Sequence, residues 1–312
     1  MDNLIFSINV VLPMFLIMSL GTLFKKINII DEKFLKTGNS FTFKALLPTL
    51  LFYNIYNSNI SESFNGKLVL FAVMTVLMLI SVLFIIIPRL EKDNRNRGVL
   101  IQGLIRSNFV LFGIPLCTNI FGSSGTGIAS MLIAVIVPLY NFFCVFILDI
   151  YAKEKLEIRE TFISILKNPM IIASAIGIFL SVANIKLPAA IDKTVADISK
   201  IATPFALIVL GGEIEIYNVY KNIKYIIAVC IGKLIIIPSL VIPIAVMFGF
   251  RGIELGALFS MVASPVAVSS YIMAAQCNAN EELAGQIVFS TTLFSSLTIF
   301  IFIYILKSLS LF

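Results

Sequence analysis

Histidine and tryptophan are both absent from the 312 residues. Without histidine there is no imidazole base, metal ligand or proton relay. Without tryptophan, any aromatic belt at a membrane surface falls to tyrosine, helped by phenylalanine. Charge is scarce as well: Asp, Glu, Lys and Arg make up 13% of the chain, against about a quarter in soluble domains. With 59% hydrophobic residues and a mean hydropathy of +1.02, the chain has too little charge to coat a globule, and it reads as an integral membrane protein. The four cysteines, Cys117, Cys144, Cys230 and Cys277, are scattered in or beside apolar runs with no C-x-x-C pair. They read as small buried hydrophobes.

What is present is a succession of apolar runs. A bilayer core takes about 20 apolar residues per helix, and ten spans fit: 4–24, 38–56, 67–88, 98–120, 126–151, 166–184, 198–216, 222–248, 252–275 and 284–306. Barrel strands would alternate polar and apolar residues; "LFAVMTVLMLISVLFIII" does not. The N-terminal run has no basic start and no small-residue cleavage site, so it reads as the first span rather than a signal peptide. The net charge of +6 comes without a long basic run, which argues for basic loops and against nucleic acid. The odd-numbered loops hold fourteen Lys and Arg and the even-numbered loops five, which puts the odd loops in the cytosol and both termini outside, at the plasma membrane.

The prolines suggest an internal repeat. "PMFLIMSLG" at Pro13 and "PMIIASAIG" at Pro169 share P-M-x6-G and lie 156 residues apart, as do Pro48 and Pro204. Pro88 pairs with Pro238 and Pro115 with Pro265 at 150 residues, which implies a six-residue length change near the second loop. The division expected is a first repeat over 1–151, a cytoplasmic linker over 152–165 and a second repeat over 166–312. Five spans per repeat is an odd number, so the halves are inverted, a common construction of secondary transporters with a site between discontinuous helices. The fold class expected is therefore an all-α membrane protein of ten helices in two inverted five-helix repeats.

The fourth and ninth spans carry paired interruptions. "SNFVLFGIPL" has Gly113 before Pro115, and "ASPVAVSS" sets Ser264 before Pro265 as an N-cap and first-turn proline would stand. Half-helix N-termini bring free N–H groups and partial positive charge, to which Ser107, Asn108, Ser264, Ser269 and Ser270 add hydrogen-bonding groups. Three bases fall inside spans: Lys44, Arg106 and Lys233. Arg106 can grip a carboxylate or snorkel to the cytosol. Lys44 is shallow enough for snorkelling, and Lys233 lies among bulky apolar residues with no role to assign. Acidic residues keep to span ends, which argues against a cation carrier and for an anion. The hydroxyls of span 10, Ser290 to Ser296, either pack helices or face the site, and Asn141 in span 5 is a similar candidate. An intramembrane enzyme would need a nucleophile with its base, or a metal site; neither is evident. "GSSGTG" at Gly122–Gly127 lacks the lysine of a phosphate loop and falls where a turn is needed.

Five segments together resemble the auxin efflux carrier family, within the larger bile-acid, arsenite and riboflavin transporter group: "LLPTLLFYNI" at Leu46, "RSNFVLFGIPL" at Arg106, "VPLYN" at Val137, "ASPVAVSSYIMA" at Ala263 and "STTLFSSLT" at Ser290. The resemblance covers nearly the whole chain. It implies crossing helices 4 and 9 broken at Pro115 and Pro265, and alternating access. Plant members place Asn before each crossover proline; here Ile114 and Ser264 stand there, and the long hydrophilic middle loop is missing. Bacterial relatives are often named malate or organic-acid permeases. The candidate substrate-binding set is thus Arg106, Ser107, Asn108, Gly113, Ile114, Pro115, Asn141, Ser264, Pro265, Ser269 and Ser270. The expected function is a secondary transporter of a small organic anion within the lipid bilayer. A sodium-coupled carrier of bile-acid-like amphipathic acids is the alternative. No cofactor is called for, Na⁺ or H⁺ coupling is left open, and a homodimer is one assembly compatible with the chain.

Overall fold

The computed structural model describes residues 2–57, 65–152, 166–213 and 219–312. They are helical in chain order as α1 (Asp2–Lys26), α2 (Glu32–Phe41), α3 (Leu47–Tyr56), α4 (Gly66–Leu90), α5 (Asn94–Ile105), α6 (Ile114–Ala152), α7 (Pro169–Val182), α8 (Ala189–Glu213), α9 (Val219–Ile231), α10 (Ile237–Met247), α11 (Gly252–Ala263), α12 (Ser269–Gln276) and α13 (Glu281–Ser308). Among the described residues the only strand-like pairing is an isolated bridge between Ser107 and Val266. Five stretches among the described residues are long and apolar enough to cross a bilayer: Gly66–Leu90, Ser124–Tyr151, Ala189–Gly212, Lys221–Met247 and Glu281–Ser308. Residues 58–64 of the second loop, 153–165 of the expected linker and 214–218 lie outside the described residues.

Helix starts follow side-chain chemistry. Asp31, Asn65, Asp93, Asn168 and Asn280 each accept a backbone N–H from the first turn of the helix that follows, meeting one of the donors a helix start leaves open. Gly122 divides α6: its φ of 68° and ψ of −149° are conformations that only glycine enters freely. The "GSSGTG" segment is thus the corner at which α6 changes direction.

Among the described residues three π-helical turns interrupt the α-helices, at Thr42–Leu46, Phe109–Gly113 and Gly232–Ile236. Each is followed by a proline at the second position of the next helix: Pro48, Pro115 and Pro238. A helical proline lacks the N–H for the i−4 bond, and its ring collides with that carbonyl. In these turns the colliding carbonyls would be those of Lys44, Leu111 and Leu234. Widening the preceding turn relieves the collision and keeps the rod continuous. Pro88, Pro138, Pro204 and Pro243 sit inside helices without such a turn.

Packing separates two kinds of helix. On α4, Leu70, Met74, Met78, Ile85 and Ile86 are exposed; on α13, Leu293, Phe294, Leu297, Ile301 and Ile305 are. Such apolar faces suit lipid rather than water. By contrast α5 is buried from Gly98 to Ile105 and α11 from Leu255 to Ala263. A helix buried all round belongs in the core, and these two lie within it beside α6. Small residues let other helices close in: a Cβ at Gly21 would strike the Ile208 carbonyl, and one at Gly211 the Met18 carbonyl, so α1 and α8 meet backbone to backbone. Thr22 Oγ1 donates to the Gly211 carbonyl at 2.7 Å across this contact.

Candidate functional site

The two buried helices end facing each other. α5 stops at Ile105 and the chain becomes extended at Arg106 (φ −80°, ψ 119°); α11 stops at Ala263 and becomes extended at Ser264 (φ −62°, ψ 146°). The extended segments run antiparallel, joined by the Ser107–Val266 bridge. The Asn108 N–H donates to the Pro265 carbonyl at 2.7 Å, and the Val266 N–H donates to Thr291 Oγ1 of α13 at 3.2 Å. Backbone freed by the two breaks thus finds partners inside the protein, as burial away from water requires. Of the hydroxyls on α13, that of Thr291 has this task, and it donates in turn to the Ile287 carbonyl at 2.8 Å.

The position of the first break corrects the proline reading. Pro115 lies seven residues beyond the extended segment, whereas Pro265 lies within its own. The reason is the π-turn at Phe109–Gly113, which accommodates Pro115 in the second position of α6, where a proline is tolerated. The breaks at Arg106 and Ser264 are 158 residues apart, not 150. Gly113 is buried in the π-turn, where a Cβ would strike the Phe109 ring, and Ile114 opens α6. Gly113, Ile114 and Pro115 therefore shape the approach to the crossing without forming it.

Two cations sit at the crossing. Arg106 is 3% exposed and Lys233 is 1% exposed. Arg106 Nη2 donates to Asn141 Oδ1 at 2.7 Å and Ser269 Oγ at 2.8 Å, while Nη1 points at Met273 Sδ, 2.9 Å away. Lys233 Nζ donates to Ser107 Oγ at 2.5 Å and to the Ile105 carbonyl at 3.3 Å. Among the described residues the ion pairs are Lys25–Glu32 and the exposed Lys193–Asp197–Lys200 group; none reaches either buried cation. Arg106 therefore does not snorkel. Lys44, by contrast, is exposed on its π-turn.

A cavity opens beside the crossing, lined on its polar side by Asn54, Arg106, Ser107, Asn108, Thr203 and Ser269. No acidic residue lines it among the described residues. Its free volume is about 60 Å³, in the measure where one water takes about 10–15 Å³. Asn54 Nδ2 and Asn108 Nδ2 are buried donors without a partner. α12 begins at the same place, so its N-terminal turn adds partial positive charge next to the Arg106 guanidinium. The arrangement offers donors and positive charge with no matching acid, the electrostatics of an anion site.

Of the expected residues, Arg106, Ser107, Asn108 and Ser269 line the cavity. Asn141 stands behind Arg106 as its acceptor, and Pro265 holds Asn108 through its carbonyl. Ser264 turns its hydroxyl back to the Ser260 carbonyl, and Ser270 is buried with its hydroxyl unpartnered. Sequence reasoning missed Asn54 and Thr203 and left Lys233 unassigned. For Lys233 the signal was present, since a lysine deep in an apolar run has to find a partner. Among the described residues no group of three His, Cys, Asp or Glu forms a metal-ligand cluster.

Apolar outer faces around a buried polar crossing describe a multi-pass membrane transporter. The chain belongs to the membrane transport protein family, that of the auxin efflux carriers, whose model matches residues 6–162 and 152–303. It is also similar to an uncharacterized transporter of Methanocaldococcus jannaschii, with 22% identity over 316 aligned positions that cover 96% of this chain and 98% of that relative.

Proposed function

We propose that the protein is a secondary transporter that carries a small organic anion, a carboxylate, across the plasma membrane by alternating access. One observation carries the reading: the buried Arg106 guanidinium and two unpartnered amide donors line a cavity that has no acidic residue among the described residues. A carboxylate supplies what is missing. Arg106 would be its chief ligand, with Asn108, Asn54 and the Ser269 hydroxyl around it. The small free volume favours a short acid over a bulky amphipathic one, and the role is that of a carrier rather than a catalyst.

The mechanism rests on ten spans arranged as two inverted repeats, with the crossing pair and its neighbours moving against the remaining helices. Helix boundaries support the repeat better than the prolines do. α2 and α8 start 157 residues apart, α5 and α11 start 158 apart, and the spans beginning at Ser124 and Glu281 are 157 apart. These three pairs share one spacing. The six-residue length change is then unnecessary, and the 150-residue matches of Pro88 with Pro238 and Pro115 with Pro265 drop out. The loop charges support cytosolic odd loops and both termini outside.

Proteoliposome flux with a panel of labelled carboxylates tests the proposal directly. Uptake of a short carboxylate that unlabelled carboxylates displace is the expected result. Robust cation exchange with no carboxylate uptake overturns it.

A further inference from the structure

Lys233 has no part in binding the anion: it does not line the cavity. It lies on the far side of Ser107, within the π-turn that Pro238 follows. Close approach seats it there. A Cβ at Gly232 would press on Leu104 Cδ2, and one at Gly103 on Val229, so this turn lies against the last turn of α5. Its ammonium meets two oxygens, the Ile105 carbonyl at the end of α5 and the Ser107 hydroxyl in the extended segment. The end of a helix interrupted inside a membrane leaves carbonyls open and partial negative charge. In carriers built on broken helices, such ends hold the coupling cation through oxygen ligands.

We infer that Lys233 is a tethered cation that occupies the place of a coupling sodium ion at the end of α5, so that this transporter works without sodium. The inference rests on the transporter reading and assigns its coupling. The same oxygens that receive the ammonium, a backbone carbonyl and a hydroxyl, are hard-cation ligands. Burial at 1% exposure with no ion pair to Lys233 among the described residues leaves the α5 terminus as the charge's principal partner. A free ion would be bound and released in each cycle; a lysine stays.

The test measures melting of the purified protein in sodium chloride and in N-methylglucamine chloride at equal ionic strength, for the wild type and for Lys233→Ala. The wild type is expected to melt at the same temperature in both salts. Lys233→Ala is expected to melt lower in N-methylglucamine and to regain part of the loss in sodium, which enters the vacated oxygen site. A sodium-dependent shift in the wild type overturns the inference, as does a folded Lys233→Ala that melts identically in the two salts. Should Lys233→Ala not fold, the wild type decides: carboxylate flux that collapses when sodium is replaced overturns the inference, and unchanged flux supports it. The melting arm uses no substrate. A wild type that carries no carboxylate therefore overturns the transport reading alone.

Discussion

The Asn108 N–H donates to the carbonyl of Pro265, 157 residues away, at 2.7 Å. This bond ties the two interrupted helices at the place where each has lost its own ladder. The first extended segment presents Arg106, Ser107 and Asn108 to one cavity, and the start of α12 presents Ser269. The following predictions concern how that geometry is held and what it binds.

Arg106→Ala should weaken carboxylate binding by roughly ten- to a hundredfold, the loss of one or two hydrogen bonds to a charged group. Lys44→Ala should leave it unchanged, since Lys44 is exposed. Concentration dependence of flux for the two variants checks both. Equal and minor effects would remove Arg106 from the site.

Asn141→Asp places a carboxylate oxygen where the amide oxygen now stands, 2.7 Å from Arg106 Nη2. The internal ion pair should compete with the substrate, so flux should fall while the protein stays folded. Asn141→Ala should instead free the guanidinium and raise KM more than it lowers maximal flux. The pair of variants separates neutralisation of Arg106 from its misplacement.

Thr291→Val keeps the shape of the side chain but removes the acceptor of the Val266 N–H. A buried N–H left unpaired costs about 1–3 kcal/mol. Thr291→Val should lower the melting temperature in detergent, and Thr291→Ser should restore it.

Pro238→Ala removes the ring that the π-turn at Gly232–Ile236 accommodates. A return to regular α-helix shifts the register by one residue, a rotation of about 100°. Lys233 then turns away from Ser107, so the protein should melt lower, as is expected for Lys233→Ala. Accessibility of a cysteine placed at Lys233 or at its neighbour, with and without the Pro238 change, reads the rotation itself.

Glu91 lies outside the membrane spans, at the turn from α4 to α5. Burial there pushes its carboxyl up. Hydrogen bonds from the Tyr225 phenol and from the Asp93 and Lys92 backbone N–H groups, with the Lys224 charge, outweigh that and hold it below its ordinary value of 4.5. A depressed folded-state value means the charge stabilises the turn above the ordinary carboxylate range, and the contribution is lost as pH falls through the folded value. Wild-type stability should therefore drop in acid, and Glu91→Gln should show a smaller drop. Melting measured across acidic pH checks this.

Much of the molecule is legible along the chain. Scarce charge and long apolar runs set the membrane class, because apolar burial is additive and needs no knowledge of neighbours. The second break is written locally as Ser264-Pro265. The first is not, because Pro115 is absorbed by a π-turn and the chain opens earlier, at Arg106. Arg106 and its two neighbours were visible as polar residues in an apolar run. Asn54, 52 residues earlier, and Thr203, 97 later, give no sign in sequence that they face the same cavity.

The sequence by itself determined a helical membrane protein, the interruption at Ser264-Pro265, and an excess of bases over acids within its apolar runs. Only tertiary structure decided which groups those charges meet. Hydropathy and proline stereochemistry act between residues a few positions apart. The Lys233–Ser107 and Asn108–Pro265 contacts join residues 126 and 157 positions apart. Whether such groups meet depends on helix register, and here π-turns and close glycine contacts set that register, since each rotates or admits a side chain only against a packed neighbour.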